Sequence, residues 1–216
     1  MTADQDSAAP VWSALAKSAD RSAHHAKIGS SAVPAGAPRD IRLGQVVSQR
    51  ELISRRGEWK RTGKGVVCAY GAFDLLHPGH IRLLEAARDF GDLLVVGVQS
   101  DAAVRAAARN TNGSPDPALS DAVDRPITPA TERAEILAAL RAVDFAAIVE
   151  DSSERFLEQF RPDVFVCGDS ADVRRNTDTD SLERALTAVG CRVVRVATEP
   201  GYSITLLIER ITGRRA

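Results

Sequence analysis

Lysine is scarce in this chain and unevenly placed: the four residues are Lys17, Lys27, Lys60 and Lys64, and nothing after Lys64 is lysine. Any anion bound by the later part must therefore be met by arginine, histidine, hydroxyls or backbone N–H groups. Histidine is equally rare, with two in His24-His25 and two at His77 and His80. Cysteine is limited to Cys68, Cys167 and Cys191. An odd number, widely spaced and without a C-x-x-C pair, argues against a disulfide framework or a zinc site and reads as reduced thiols in apolar runs. No apolar stretch approaches the length of a membrane span, and the start Met1 to Asp6 lacks the basic and apolar regions of a signal peptide. The expectation is a cytoplasmic protein with no membrane partner. A formal net charge of −1 offers no general attraction to nucleic acid, so none is expected as a partner.

What is present suits one packed domain, since 44% hydrophobic and 26% charged residues over 216 positions is ordinary globular composition. Residues 1–40, rich in Ala, Ser, Pro and Gly, read as a flexible N-terminal extension, within which Val11 to Ala16 has the pattern of a short helix and His24-His25 is incidental. The domain is expected over 41–216. Ser48 and Glu51 are spaced as a capping box, and Gly63-Lys64-Gly65 turns the chain into a strand. Apolar runs at 66–69 and 93–98 read as buried strands, and 145–149, 164–167 and 192–196 as three more strands. Helical patterns lie between them: one following Pro78 with Ile81, Leu84 and Ala87 inward, one capped by Ser100-Asp101 and running to Arg109, one starting at Thr128-Pro129 with Ile136, Leu137, Leu140 and Val143 on one face, and stretches near 153–160 and 180–189. Residues 110–124 read as a loop. Near-continuous apolar strands alternating with helices predict an α/β fold, a single Rossmann-like doubly wound parallel sheet with helices on both faces. Ligands of such sheets bind at the carboxyl ends of the strands, where the strand order reverses.

At the end of the first of these strands stands His77-Pro78-Gly79-His80. Pro78 suits the first turn of a helix, Gly79 permits close approach, and unpaired N–H groups at a helix start attract phosphate. Two imidazoles at that corner add donors able to stabilise charge on a transferring phosphoryl group.

The longer run Gly71-Ala72-Phe73-Asp74-Leu75-Leu76-His77-Pro78-Gly79-His80 resembles the G-x-F-D-x-x-H-x-G-H signature of the cytidylyltransferase-like nucleotidyltransferases. Further blocks are similar to the branch of D-glycero-β-D-manno-heptose 1-phosphate adenylyltransferases: Arg125-Pro126-Ile127, Glu132-Arg133, Ala139 to Asp144, Arg161 to Val164, and Pro200-Gly201-Tyr202-Ser203-Ile204-Thr205. The resemblance implies that ATP donates AMP to a sugar 1-phosphate, giving an ADP-sugar and pyrophosphate, with Mg²⁺ accompanying ATP and few protein ligands to the metal. It implies His77 and His80 as catalytic residues, and Ala72, Phe73, Asp74, Gly79, Arg133, Tyr202, Ser203 and Thr205 at the nucleotide. It also implies a homodimer.

For three of these residues the pattern leaves two roles open. Asp74 orients either the turn or a substrate group, Ser203 either caps a helix or holds phosphate, and Arg133 is either a phosphate ligand or a solvated helix arginine. The chain departs from the branch where Cys167 stands in place of a usual lysine, Ser203-Ile204-Thr205 in place of Ser-Thr-Thr, and where a phosphate-binding lysine would follow the second strand. Arg105 and Arg109 are the candidates there for the acceptor phosphate. The run Val164 to Asp169 is closer to glycerol-3-phosphate cytidylyltransferases, which keeps a CTP-dependent enzyme acting on a polyol phosphate as an alternative. The missing lysines motivate a second one, a nucleotide-binding protein without turnover.

Overall fold

A computed structural model of the chain describes residues 43–109, 124–168, 179–197 and 201–212. The extension expected over 1–40 and all but the last residue of the loop expected over 110–124 lie outside the described residues.

Six parallel strands form one sheet: β1 (Gln45–Val46), β2 (Val66–Gly71), β3 (Leu93–Gln99), β4 (Phe145–Val149), β5 (Val164–Gly168) and β6 (Arg192–Val196), in the order β1-β4-β3-β2-β5-β6. The helices are α1 (Gln49–Arg61), α2 (Pro78–Arg88), α3 (Asp101–Arg109), α4 (Ala130–Ala138), α5 (Ser153–Phe160), α6 (Thr179–Ala188) and α7 (Ile204–Thr212). Because successive side chains of a strand point to opposite faces, the strands feed two cores. Val66, Cys68, Val95, Val149 and Phe165 pack with Leu52 and Trp59 of α1, Phe156 and Phe160 of α5 and Leu182 and Leu186 of α6. Val67, Ala69, Val96, Ala146 and Val166 pack with Leu84 and Ala87 of α2 and Ala134 and Leu137 of α4 on the other face. The doubly wound sheet read from the sequence is therefore present.

The order reverses beside β2: the chain runs outward through β3 and β4, then returns to place β5 on the other flank of β2. The carboxyl end of β2 thus opens into the crevice where such sheets bind ligands.

Local chemistry explains the element boundaries. Ser48 Oγ accepts the Glu51 N–H at 3.2 Å to start α1, while the Glu51 carboxylate turns to Arg55 at 2.5 Å and does not complete a reciprocal box. Gly63, at φ 70°, takes the left-handed turn that ends it. Ser100 Oγ accepts the Ala103 N–H at 3.2 Å at the start of α3.

Beyond the incomplete capping box, the structure departs from the sequence pattern in several places. The two-residue edge strand β1 carried no apolar run and was not anticipated. Helix α4 stops at Ala138, and Leu140 and Val143 reach the core from tight turns that bring Asp144 onto β3, where its carboxylate accepts the Leu94 N–H at 2.8 Å. Ile136 and Ile81, expected inward, are 47% and 38% exposed; Ile81 lies in the first turn of α2, at the carboxyl edge of the sheet. All three cysteines are buried and none forms a disulfide. Burial pushes the Cys191 thiol up to about 11 and Cys68 beyond the thiol range, so both are protonated at neutral pH.

Candidate active site

β2 delivers the chain to its carboxyl end at Gly71, and the loop 72–76 carries it to α2. His77 is the N-cap of α2 in an extended conformation, with Pro78 in the first turn and no side chain capping the helix. Its carbonyl accepts the His80 N–H at 2.9 Å, which holds the two histidines on one turn. Their rings stack at a centroid distance of 3.8 Å and an angle of 19°. Phe73 meets His80 in an edge contact, 5.4 Å between ring centroids, and Tyr202 lies nearly parallel to His77 at 6.4 Å. The result is a row, Phe73, His80, His77, Tyr202. Arg82 extends it, with its guanidinium 5.4 Å over the Tyr202 ring.

Gly79 makes the row possible. A Cβ at that position would stand 3.0 Å from the His77 ring and 3.4 Å from the Tyr202 Cβ. A stereochemical need for glycine inside the signature follows from contact with its own histidine.

Both imidazoles are held neutral. Burial lowers the His77 pKa. Burial lowers that of His80 to about 4, the adjacent His77 adds to the shift, and the Leu75 backbone opposes it without reaching Nδ1 in hydrogen-bonding geometry. The Nδ1 atoms of both rings are buried without a hydrogen-bond partner. Leaving a buried polar atom unpaired costs about 1–3 kcal/mol, so each of the two rings bears such a cost within the protein itself.

A second layer fixes this corner from behind. Asp74, fully buried at its side chain, accepts the Ile127 and Thr128 N–H groups on Oδ1 at 2.8 and 2.9 Å and the Arg125 Nε on Oδ2 at 3.0 Å. Of the two roles open for Asp74, the structure therefore takes the orientation of the turn: its oxygens are engaged by the chain itself. Arg133 is corrected in the same way. It is 1% exposed, and Nε donates to the Thr128 carbonyl at 2.8 Å, Nη1 to the Ala72 carbonyl, and Nη2 to Asp101 Oδ1 at 2.6 Å. Asp101 Oδ1 also accepts the Ala130 N–H at 2.9 Å. Arg133 is thus a brace tying the signature loop to the starts of α3 and α4, and it neither faces the crevice nor sits on a solvated helix face.

Ser203 Oγ accepts the Leu206 N–H at 3.1 Å, the geometry of an N-cap for α7. That is the capping side of its two readings, and a hydroxyl that accepts in this way still has its own proton to donate. Arg105 is exposed on α3. Arg109 and Thr205 lie in α3 and α7, and their side chains are outside what the structure describes. Cys167, which stands where the heptose branch has lysine, is buried on the face covered by α5 and α6, away from α2. The histidines, Phe73, Gly79 and Tyr202 are brought together; Arg82, Asp101 and Arg125 were not anticipated as parts of the corner. Arg82 follows His80 by two residues, and Arg125 precedes Pro126 in a block already noted, but neither spacing says which way a side chain turns.

A family comparison now meets this geometry: residues 68–210 match the cytidylyltransferase-like family, a span that includes most of β2, the histidine corner and most of α7. The chain belongs to the cytidylyltransferase-like family. As a member of that family of nucleotidyltransferases, it is 37% identical over 171 residues to "Bifunctional protein HldE" of Koribacter versatilis (strain Ellin345), covering 79% of this chain and 32% of that protein. It is 41% identical over 153 residues to the protein of the same name from Geotalea uraniireducens (strain Rf4), covering 70% and 28%. This cytidylyltransferase-like chain thus spans about a third of the length of those relatives. A lipopolysaccharide core biosynthesis protein from Thermoplasma volcanium GSS1 superposes with a TM-score of 0.45 at 29% identity, over 63% of this chain and 98% of the other. Among the described residues no helix is long and apolar enough to cross a membrane.

Proposed function

We propose that the protein transfers AMP from ATP to a sugar 1-phosphate, D-glycero-β-D-manno-heptose 1-phosphate, forming an ADP-sugar and releasing pyrophosphate. The observation that carries the reading is the stacked pair of neutral histidines, each with a buried unpaired nitrogen, at the carboxyl end of β2. The likeness of the chain to proteins named HldE and the heptose-type blocks at Arg125-Pro126, Arg133 and Tyr202-Ser203 support the choice of acceptor.

On this reading an oxygen of the acceptor phosphate attacks the α-phosphorus of ATP in line, the new P–O bond forms as the bond to the bridging oxygen breaks, and pyrophosphate leaves with the electron pair. His77 and His80 donate to phosphoryl oxygens as charge shifts, and the start of α2 faces the same anion with its dipole. Mg²⁺ enters as the complex with ATP. Both Asp74 oxygens are engaged by the chain itself, so this carboxylate is given no part in holding the metal. The reading takes the protein to be cytoplasmic and homodimeric.

The Val164 to Asp169 run favours a second reading, a CTP-dependent enzyme acting on glycerol 3-phosphate or a similar polyol phosphate. Pyrophosphate release from ATP or CTP, each paired with heptose 1-phosphate and glycerol 3-phosphate, separates the two. Release only with ATP and the heptose phosphate is expected. Release only with CTP and the polyol phosphate replaces the first reading with the second, and nucleotide binding without release under every pairing leaves a non-catalytic binding protein.

A further inference from the structure

ATP and a phosphomonoester together bring several negative charges into one crevice. The lysines that would meet them are missing, and Arg133 is spent as a brace. Arg125 is placed differently. Its Nε is fixed on Asp74 Oδ2 at 3.0 Å, and Asp74 is itself fixed by two backbone N–H groups, yet the Arg125 side chain remains 23% exposed. Neither Nη nitrogen is engaged by another described residue. A guanidinium held through Nε presents its outer edge, two Nη groups spaced to meet two oxygens of one phosphate. Its rotamer is already chosen in the folded state, so ligand binding does not have to order it.

The row of rings gives this edge a side. Phe73, next to Asp74, contacts His80, and Tyr202, next to the start of α7, lies beside His77. In-line displacement puts the attacking oxygen and the departing pyrophosphate on opposite sides of the α-phosphorus. With the triphosphate directed toward Tyr202 and α7, the Phe73 end is left for the attacking group.

Resting on the transferase reading above, we infer that Arg125 binds the phosphate of the acceptor, a phosphomonoester dianion, through its two Nη groups, and that Asp74 is the positioning residue that aims it. The loss of lysine after Lys64 is then compensated by an arginine anchored on a buried carboxylate.

The test uses the full chain with inorganic phosphate as the probe in calorimetric titration, beside steady-state pyrophosphate release. Arg125→Lys keeps a cation against Asp74 but removes the fork, and Arg125→Gln removes the charge. Both are expected to weaken phosphate binding and to raise KM for the acceptor by about tenfold or more, the scale of one lost charge-assisted bidentate contact, with KM for ATP within about twofold of wild type. An Arg125→Lys protein that melts like wild type and binds phosphate unchanged overturns the inference, as does an effect confined to KM for ATP or a wild-type chain that binds no phosphate. A wild-type chain that binds phosphate through Arg125 yet releases no pyrophosphate overturns the transferase reading and leaves this site standing.

Discussion

Arg133 Nη2 meets Asp101 Oδ1 at 2.6 Å, joining residues 32 apart in the chain, and that single contact converts a predicted phosphate ligand into a structural brace. The same guanidinium reaches the Ala72 carbonyl 61 residues away, so it connects the loop after β2 to the helix starts after β3 and before β4.

Arg133→Ala should therefore act on stability first. Breaking a buried pair costs about 3–5 kcal/mol, and because Asp101 keeps a third of its side chain in solvent the lower end, about 3 kcal/mol, is expected in urea unfolding. KM for ATP in the protein that remains folded should change little. A variant of wild-type stability that no longer binds ATP would restore Arg133 to the nucleotide.

Loss of either imidazole should act on turnover. His77→Ala or His80→Ala is expected to lower kcat by about 10²-fold, the scale of removing one donor to developing charge, while the melting temperature stays close to wild type because each residue carries a buried unpaired nitrogen. Near-normal pyrophosphate release at saturating substrate in one variant would remove that histidine from the mechanism.

The neutral histidines also set a pH dependence with a definite sign. An unfolded histidine takes its proton near the ordinary value of 6.5, whereas folded His80 resists until about 4 and His77 is lowered in the same direction. Between those values the unfolded chain binds more protons, so this contribution to stability is complete above about pH 6.5 and is lost as pH falls toward 4. Urea midpoints measured across that window should fall with pH in wild type and fall less steeply in His80→Ala. Phosphate oxygens beside the rings favour the charged form, so ATP binding at pH 7 should take up protons, seen as a binding enthalpy that depends on the buffer's ionisation enthalpy.

Gly79→Ala should leave the fold and disturb the row. Its Cβ would sit 3.0 Å from the His77 ring, so the imidazole must shift by some tenths of an ångström. A loss of up to about 10²-fold in kcat is expected, with ATP affinity reduced far less. A fully active Gly79→Ala protein would show that the ring position is not critical.

Much of this was readable locally. Strands β2 to β5 declared themselves as apolar runs, and Pro78 and Ser48 marked helix starts, because burial on both faces and unpaired N–H groups leave a signature within a few residues; the edge strand β6, with Arg192 and Arg195 among its five residues and none of them fully buried, was marked by its valines alone. β1 did not, since two exposed edge residues, Gln45 and Val46, owe their conformation to pairing with Phe145 and Ala146 about a hundred positions away. The end of α4 was misread for a related reason: Leu140 and Val143 keep helical spacing in sequence, but the pairing of Asp144 with Leu94 turns the chain first.

By itself the sequence determined the fold class and the place of the corner: alternating buried strands and helices admit a doubly wound sheet, and Pro78-Gly79 between two histidines after a strand end puts both imidazoles at a helix start. Only the tertiary structure decided which charged residues serve that corner. Arg125 and Arg133 lie eight positions apart and look equivalent as letters, yet one keeps 23% of its side chain exposed with only Nε on Asp74 and the other has its nitrogens on internal acceptors. The difference arises because a guanidinium's fate depends on which carbonyls and carboxylates the fold brings within 3 Å of it, and those come from residues Ala72, Asp74 and Asp101, which only the packed sheet assembles.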